Sequence, residues 1–264
     1  MRALVILALI LSAGCKHDAD GCQLLFGNPN AYTGLTTDQC RPVCSCGNQT
    51  FAPPAYSQSF IQSLIDDWTP SQPWPAFTVD PYSMPAPPDD PPGTVCAVLE
   101  GAPAHPRPYS LATFPSSAAA AAAGGHVTHF GRCGACSSLA NLAVYMRNND
   151  LTAPVRQCAF KDAVPDAGDP DIDCLMAMGF DYPCAQIWSF NTNHTRKVCL
   201  KPCLESFGDD YNLPDGGLNA CLQCDEDMSG PWFKAFAGRT RRNSGLPNAI
   251  CRPCSEVQPL VHSY

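Results

Sequence analysis

Residues 126–139 read HVTHFGRCGACSSL and join a predicted strand, HVTHF, to the best-patterned helix of the chain. In the following CSSLANLAVYMRNN, Leu139, Leu142, Ala143 and Met146 stand at i, i+3, i+4 and i+7, which is one face of a helix. The stretch therefore predicts a strand-to-helix turn built on CGAC, with two histidines and two cysteines close to it.

The segments before this junction predict two more strands and a short helix. YSLATF, from Tyr109, and TVCAVLE, further upstream, are strand candidates. Ser116 or Ser117 can cap a helix made of six alanines, which Gly124 and Gly125 then end. The local order is strand, helix, strand, CGAC turn, helix.

The segments after the junction predict further helices. One covers residues 172–178, one is opened by Pro183 and runs through CAQIWSFNTNHTRKVC, and a third covers residues 231–237. NACLQCDE and NAICRPCSE, which begin at Asn219 and Asn248, resemble each other and predict two turns of one kind. The pattern as a whole predicts an α+β fold that is rich in helices and disulfides.

The cysteine content indicates an oxidising compartment. Seventeen cysteines in 264 residues would be hard to reconcile with a reducing cytosol, and sixteen of them lie beyond Cys15, an even number that permits complete pairing. Besides Cys133 and Cys136 in the CGAC turn, the disulfide candidates are Cys22, Cys40, Cys44, Cys46, Cys96, Cys158, Cys174, Cys184, Cys199, Cys203, Cys221, Cys224, Cys251 and Cys254.

The spacing of the cysteines divides the chain. The first cluster lies within residues 15–50 and holds four cysteines, so it could close on itself as a small N-terminal module. Residues 51–92 form a proline-rich arm, in which YSQSFIQSLIDDW predicts one short helix packed on the rest. Residues 93–264 form the main domain, and if the first cluster is self-contained, Cys96 must pair with a later cysteine.

The N-terminal residues predict an export signal. Arg2 is followed by nine apolar residues, too few to span a bilayer, and then by LSAGC. This segment resembles the bacterial lipobox, which implies that residues 1–14 are a signal peptide and that Cys15 is acylated and anchors the chain. The alternative is an ordinary cleaved secretory signal without acylation, which would also export the chain. Lys16 after the cysteine resembles lipoproteins sent to the outer membrane, so we expect a protein of the bacterial cell envelope.

Composition limits the partners. The net charge of −8 argues against a nucleic-acid binder, because phosphate neutralisation needs a basic face. The lipid anchor predicts membrane attachment. The sequence does not identify a protein or small-molecule partner.

One interpretation of CGAC is redox chemistry. A Cys-x-x-Cys at a helix start has a lowered thiol pKa, because the helix dipole stabilises the thiolate. The order of strand, helix, strand, CGAC and helix resembles the thioredoxin family, and this resemblance implies that Cys133 attacks and Cys136 resolves.

A second interpretation is nucleophilic catalysis. GRCGACSSL resembles the papain-type Gly-x-Cys-Gly-Ser-Cys-Trp segment, which implies that Cys136 is the nucleophile and Cys133 a disulfide partner. A hydrolase would need a histidine base. His129, His194 and His262 are the candidates.

A third interpretation is a metal site. His126, His129, Cys133 and Cys136 supply two imidazoles and two thiolates, which would suit tetrahedral zinc if they converge on a loop. On a strand the two histidines would point to opposite faces, and disulfide formation competes for the thiols. We predict no cofactor, and zinc is the alternative.

A basic cluster suggests anion binding. Arg239, Arg241 and Arg242 fall in GRTRRNSG, and arginine forks bind carboxylate or phosphate with two hydrogen bonds. The simpler expectation is local pairing with the acidic run at residues 225–227.

We favour the interpretation in which CGAC is part of a disulfide framework and the protein is a binding or structural surface protein. A thiol-disulfide oxidoreductase centred on Cys133 and Cys136 is the first alternative. A hydrolase using Cys136 is the second.

Overall fold

The computed structural model describes residues 24–46, 49–161 and 170–264 and has the predicted mixed α+β architecture. The strands are β1 (Leu25–Phe26), β2 (Cys44–Cys46), β3 (Gln49–Phe51), β4 (Trp68–Pro70), β5 (Val95–Glu100), β6 (Arg107–Phe114), β7 (Gly125–Phe130) and β8 (Arg252–Pro253). The helices are α1 (Gln58–Asp66), α2 (Ser117–Ala122), α3 (Leu139–Arg147), α4 (Thr152–Lys161), α5 (Pro170–Ala177), α6 (Tyr182–Val198), α7 (Leu200–Glu205), α8 (Ala220–Met228) and α9 (Gly230–Ala237).

The main sheet has four strands in the order β4-β6-β5-β7. β5 is antiparallel to both β6 and β7, and β4 is parallel to β6. Cys96 on β5 lies opposite His129 on β7, next to a register shift between Cys96 and Ala97. This edge of the sheet leads directly into the CGAC turn.

The strand, helix, strand, CGAC, helix order is confirmed, and serines begin both helices. The Ser116 hydroxyl accepts from the Ala119 N–H at the start of α2, and the Ser138 hydroxyl accepts from the Asn141 N–H at the start of α3. The predicted helices α1, α5, α6 and α9 are also present.

The prediction for NACLQCDE is wrong. This segment forms helix α8 rather than a turn, because the Asn219 side chain caps the helix by accepting from the Leu222 N–H at 2.9 Å. Helices α4 and α7 were not predicted at all.

Helix α3 lies in the middle of the largest hydrophobic core. Leu139, Leu142 and Ala143 are fully buried there, as their spacing predicted. The Tyr109 hydroxyl on β6 accepts from the Leu139 N–H at 3.0 Å, so the first turn of α3 is bonded to the sheet. The proline-rich arm joins the same core through Leu64 of α1.

Seven disulfides form among the described residues. They are Cys40–Cys251, Cys44–Cys254, Cys96–Cys133, Cys136–Cys184, Cys158–Cys174, Cys199–Cys224 and Cys203–Cys221. Such a set is typical of an extracellular or envelope protein. Within the described part of the chain, no helix combines the length and the apolar character that a membrane crossing needs.

The prediction that the first cysteine cluster closes on itself is wrong, because Cys40 and Cys44 pair with Cys251 and Cys254 instead. The short β1–β8 pairing joins the same two parts of the chain. The predicted later partner of Cys96 is Cys133. Cys15, Cys22 and the Cys46 side chain lie outside the described part of the structure.

Candidate functional site

The two cysteines of the CGAC turn belong to two different disulfides. Cys133 is bonded to Cys96 on β5, and Cys136 to Cys184 in the first turn of α6. Both are buried. The structure does not bring Cys133 and Cys136 together as a dithiol, and neither carries a free thiol that could act as a nucleophile.

The CGAC backbone caps the end of helix α9. The Ala135 N–H donates to the Phe236 carbonyl at 2.9 Å, and the Cys136 N–H donates to the Ala237 carbonyl at 2.8 Å. These bonds satisfy carbonyls that a helix C-terminus otherwise leaves unpaired. A Cβ atom on Gly134 would lie 2.5 Å from the Phe236 carbonyl oxygen, so only glycine allows this close approach.

His129 forms a serine–histidine pair that is sealed inside the protein. Its Nδ1 lies 3.1 Å from the Phe130 carbonyl and its Nε2 lies 2.7 Å from the Ser137 hydroxyl. Because a carbonyl only accepts, Nδ1 carries the proton and Nε2 accepts from Ser137. Burial and the charge of Arg239 hold the pKa of His129 well below its usual value. Both residues are completely buried, so substrate has no access and the pair is structural.

The predicted zinc ligands do not converge. The half-exposed His126 lies with its Nε2 3.6 Å from a carboxylate oxygen of Glu100, whereas His129 is fully buried. The sulfur atoms of Cys133 and Cys136 are in disulfide bonds, so neither residue offers a thiolate to a metal. In residues 24–46, 49–161 and 170–264, no group of three or more His, Cys, Asp and Glu side chains is arranged to hold a metal.

His194 is not brought to Cys136. It lies ten residues after Cys184 on α6, which corresponds to about 15 Å along the helix. Its Nδ1 lies 3.0 Å from the Ser229 hydroxyl, and its ring stacks on Tyr82 with 4.5 Å between centroids.

His262 has a packing role. Its Nε2 donates to the Ser244 carbonyl at 2.9 Å, and its Nδ1 is 3.1 Å from the Tyr264 hydroxyl. Burial is the main reason that the pKa of His262 falls to about 3.

Arg239 is a completely buried structural residue. Its guanidinium donates to the carbonyls of Thr128, Cys136 and Ser137 and to the hydroxyls of Thr128 and Ser244, at 2.6–3.3 Å. Burial lowers the pKa of Arg239 to about 10, which leaves it charged at neutral pH. With its hydrogen bonds committed, Arg239 joins β7, the CGAC turn and the loop after α9, and it has none to offer an anion.

Arg242 is neutralised locally, as the simpler expectation had it. It forms ion pairs with Glu226 on α8 and, at 2.7 Å, with Glu256. Arg252 also binds Glu226. Arg242, like Arg239, is therefore already provided with partners inside the protein.

Arg241 differs from both neighbours because it is buried without a full set of partners. Its Nη1 donates to the Pro247 carbonyl at 3.0 Å, and its guanidinium lies 5.5 Å from the centre of the Tyr145 ring. Its Nη2 is buried and makes no hydrogen bond to any described residue. Burial lowers the pKa of Arg241 to about 10. Of the three arginines, only Arg241 has a buried guanidinium nitrogen without a hydrogen bond to a described residue.

Arg241 lines a groove of about 790 Å³, which lies between α4, α6, α7, α8, α9 and the loop at residues 240–252. The groove has an apolar floor of buried side chains, namely Tyr145, Leu151, Val155, Leu222, Phe233 and Ile250. Its size is within the range of small-molecule sites in proteins.

The rim of the groove exposes large apolar side chains. Phe160 of α4 is 61% exposed, Leu200 and Leu204 of α7 are 54% and 66% exposed, and Phe207 is 69% exposed. Water-exposed apolar side chains grouped around one groove are typical of binding surfaces.

A polar corner of the groove surrounds Asp225 of α8. Its Oδ1 accepts from the Thr195 hydroxyl and, at 3.3 Å, from the Asn191 side-chain amide of α6. Burial, with a smaller contribution from Glu226, raises the pKa of Asp225. The negative charge of this corner is therefore disfavoured by its surroundings.

Six basic and four acidic side chains line the groove, although the whole chain carries a net charge of −8. The basic ones are Arg156, Arg196, Lys234, Arg241, Arg242 and Arg252, and the acidic ones are Asp89, Asp90, Asp225 and Glu226. The groove is thus locally positive on an acidic protein.

Part of the chain matches a protein-family model. A family model described as a family of unknown function (DUF8771) matches residues 169–260, a segment that contains α6 to α9 and the loop with Arg241. No curated protein and no solved structure matches the chain.

Proposed function

We propose that this protein is an exported bacterial lipoprotein whose disulfide-braced domain binds a small ligand with an apolar body in the groove. The observation that carries the proposal is the groove itself, an apolar floor of buried side chains bordered by a few polar groups. Ligand sites in proteins have this composition.

The disulfides support the exported location. Seven disulfides form among the described residues, and disulfides persist in compartments that lack the reducing thiols of the cytosol. The lipobox-like LSAGC segment supports the finer part of the proposal, namely acylation at Cys15 and attachment to the outer membrane of the bacterial envelope. That segment lies outside the described residues.

Binding is better supported than thiol chemistry or hydrolysis. Cys133 and Cys136 are bridged to other elements, and the serine–histidine pair at His129 is sealed from solvent. The groove, in contrast, is open to solvent and lined with apolar surface.

The test of binding uses a neutral fluorescent probe. Residues 16–264 are exported behind a cleavable signal, so that no acyl chain is attached, and N-phenyl-1-naphthylamine is titrated into the purified protein. We expect saturable binding with enhanced, blue-shifted fluorescence. Ala159→Trp fills the groove wall of α4 and should weaken probe binding by about tenfold or more.

Ala122→Trp is the matched control, because Ala122 is exposed on α2 and is not among the residues that line the groove. It should leave the affinity unchanged. No saturable binding to the unsubstituted protein, or equal binding to both tryptophan variants, would refute the groove as a ligand site.

The lipid anchor is tested separately by metabolic labelling with an alkyne analogue of palmitate. The full-length chain should be labelled and sediment with membranes, whereas Cys15→Ser should lose both the label and the sedimentation. Label retained on Cys15→Ser would contradict acylation at this residue.

A further inference from the structure

We propose that the ligand of the groove is an amphiphilic monocarboxylate and that its carboxylate binds Arg241. This inference rests on the proposed function and adds the chemical class of the ligand.

Arg241 is 7% exposed, and within the described residues it forms no ion pair. The acid whose charge reaches it is Asp150, but that carboxylate accepts from the Asn30 side-chain amide at 2.9 Å and from the Tyr211 hydroxyl at 3.0 Å. Removing a guanidinium from water is costly unless an anion or a full set of acceptors compensates. Arg239, with five acceptors, and Arg242, with two glutamates, are compensated, whereas Arg241 is not.

The unused hydrogen-bonding capacity of Arg241 identifies the kind of anion. Its Nη2 carries two N–H groups and faces no acceptor, while its Nη1 is held by the Pro247 carbonyl. A carboxylate fits the planar edge of a guanidinium and accepts charge-assisted hydrogen bonds from it. One uncompensated positive charge matches a monoanion. A phosphate dianion would need further donors of the same kind.

The surroundings of Arg241 identify the rest of the ligand. The guanidinium lies over the Tyr145 ring, and Leu151 and Ile250 line the same groove, all of them buried. These side chains offer contact to an alkyl or aromatic body and offer little to a second charged group. A molecule with one carboxylate and an apolar body satisfies both parts of the site.

The other charges of the groove favour an anion as well. Glu226 is neutralised by Arg242 and Arg252, and the Asp225 carboxylate accepts hydrogen bonds from the Thr195 hydroxyl and the Asn191 amide. The potential of the groove is therefore dominated by cations, of which Arg241 is the buried one without a partner among the described residues.

The test compares three ligands of equal chain length by their displacement of the neutral probe. They are dodecanoate, dodecanol and dodecyltrimethylammonium, used below their aggregation concentrations at pH 7.5. We expect dodecanoate to bind about tenfold more tightly than dodecanol, and the ammonium to bind most weakly. This order is measured on the unsubstituted protein and does not depend on any variant.

Arg241→Met then removes the charge and keeps a flexible apolar side chain. We expect it to bind dodecanoate and dodecanol equally and to retain the dodecanol affinity within about threefold. Arg241→Lys, which keeps the charge but loses the fork, should retain part of the preference. Arg156→Met removes a less buried cation of the groove and should leave the preference for dodecanoate in place.

The outcomes separate this inference from the proposed function. If the neutral probe binds but dodecanoate and dodecanol compete equally, the carboxylate site is refuted and the ligand groove stands. If Arg156→Met abolishes the preference for dodecanoate as fully as Arg241→Met does, the preference comes from the overall positive charge of the groove, and a specific carboxylate site at Arg241 is refuted. If the probe does not bind at all, the proposed function itself fails.

Discussion

The two disulfides that connect the N-terminal segment to the C-terminal one should act as a single clamp with non-additive contributions. Cys40–Cys251 and Cys44–Cys254 span 211 and 210 residues of sequence. They are neighbours at both ends, so while one of them remains, the other closes only a ring of about eight residues. Replacing one pair by alanine therefore frees little chain, and replacing both pairs frees much more.

The magnitudes follow from the ring sizes. Opening the small ring should lower the free energy of unfolding by about 2.5 kcal/mol, whichever disulfide is removed first. When both are absent, the shortest route between the joined segments runs through the Cys96–Cys133, Cys136–Cys184 and Cys199–Cys224 bridges and has about 100 residues, which costs about 4.7 kcal/mol more. The double removal should thus cost about 7 kcal/mol, about 2 kcal/mol more than the two single removals added together.

The assay is equilibrium unfolding in urea without reductant, followed by tryptophan fluorescence, on the four proteins of this cycle. Both cysteines of a pair are replaced together so that no thiol is left to exchange. Losses of packing at the alanines occur in either background and cancel in the coupling energy. Additivity within about 0.5 kcal/mol would refute the idea that the two bridges form one clamp.

Three further predictions use the same urea assay. Gly134→Ala should cost about 3 kcal/mol or more, because the new Cβ meets backbone atoms of the α9 terminus, and a loss below about 1 kcal/mol would contradict that contact. Arg239→Met should lower the free energy of unfolding by about 3–6 kcal/mol, since three carbonyls lose their buried donor. Arg242→Met, which removes a more exposed side chain, should lower it by about 1 kcal/mol or less. Equal losses in the two variants would contradict the difference in burial. The pKa values of His129 and His262 are lowered in the folded state, so the unfolded chain binds more protons as the pH falls. The free energy of unfolding should therefore be at its full value above pH ~6.5 and should decrease below it by about 1.4 kcal/mol per pH unit for each histidine. Constant stability between pH 7.5 and 5.5 would contradict neutral, buried imidazoles.

The elements around the CGAC turn could be predicted because their signals are local. Ser116 and Ser138 sit directly before the helices that they cap, and the apolar positions of α3 recur with the helical period. These features depend on residues within one or two turns of each other, so no knowledge of the rest of the fold is needed to read them.

The disulfide partners could not be predicted, because an even or odd number of cysteines in a segment does not say which cysteines lie close together. Cys96 was correctly expected to pair with a later cysteine, yet the premise that the first cluster closes on itself was wrong for Cys40 and Cys44. Pairing requires Cα atoms about 4.4–6.8 Å apart, a distance that only the tertiary structure determines.

The groove was missed for a related reason. Its walls include α4, α7 and α8, the three helices that were not predicted. Two of them do carry capping signals, since the Asp150 carboxylate accepts from the Thr152 N–H before α4 and the Asn219 side chain caps α8. These signals predict the helices, but the groove arises from how the helices pack, and the residues that line it are of ordinary types.

The three arginines show why residue type alone could not identify the site. Arg239, Arg241 and Arg242 lie within four positions, yet one is saturated by backbone acceptors, one is paired with glutamates, and one keeps a buried nitrogen without a partner. The difference depends on how the loop after α9 folds back. That loop leads into Cys251 and Cys254, where the clamp fixes it. The disulfide framework and the groove are therefore coupled, because the bridges that stabilise the chain also fix the segment that carries the buried Arg241.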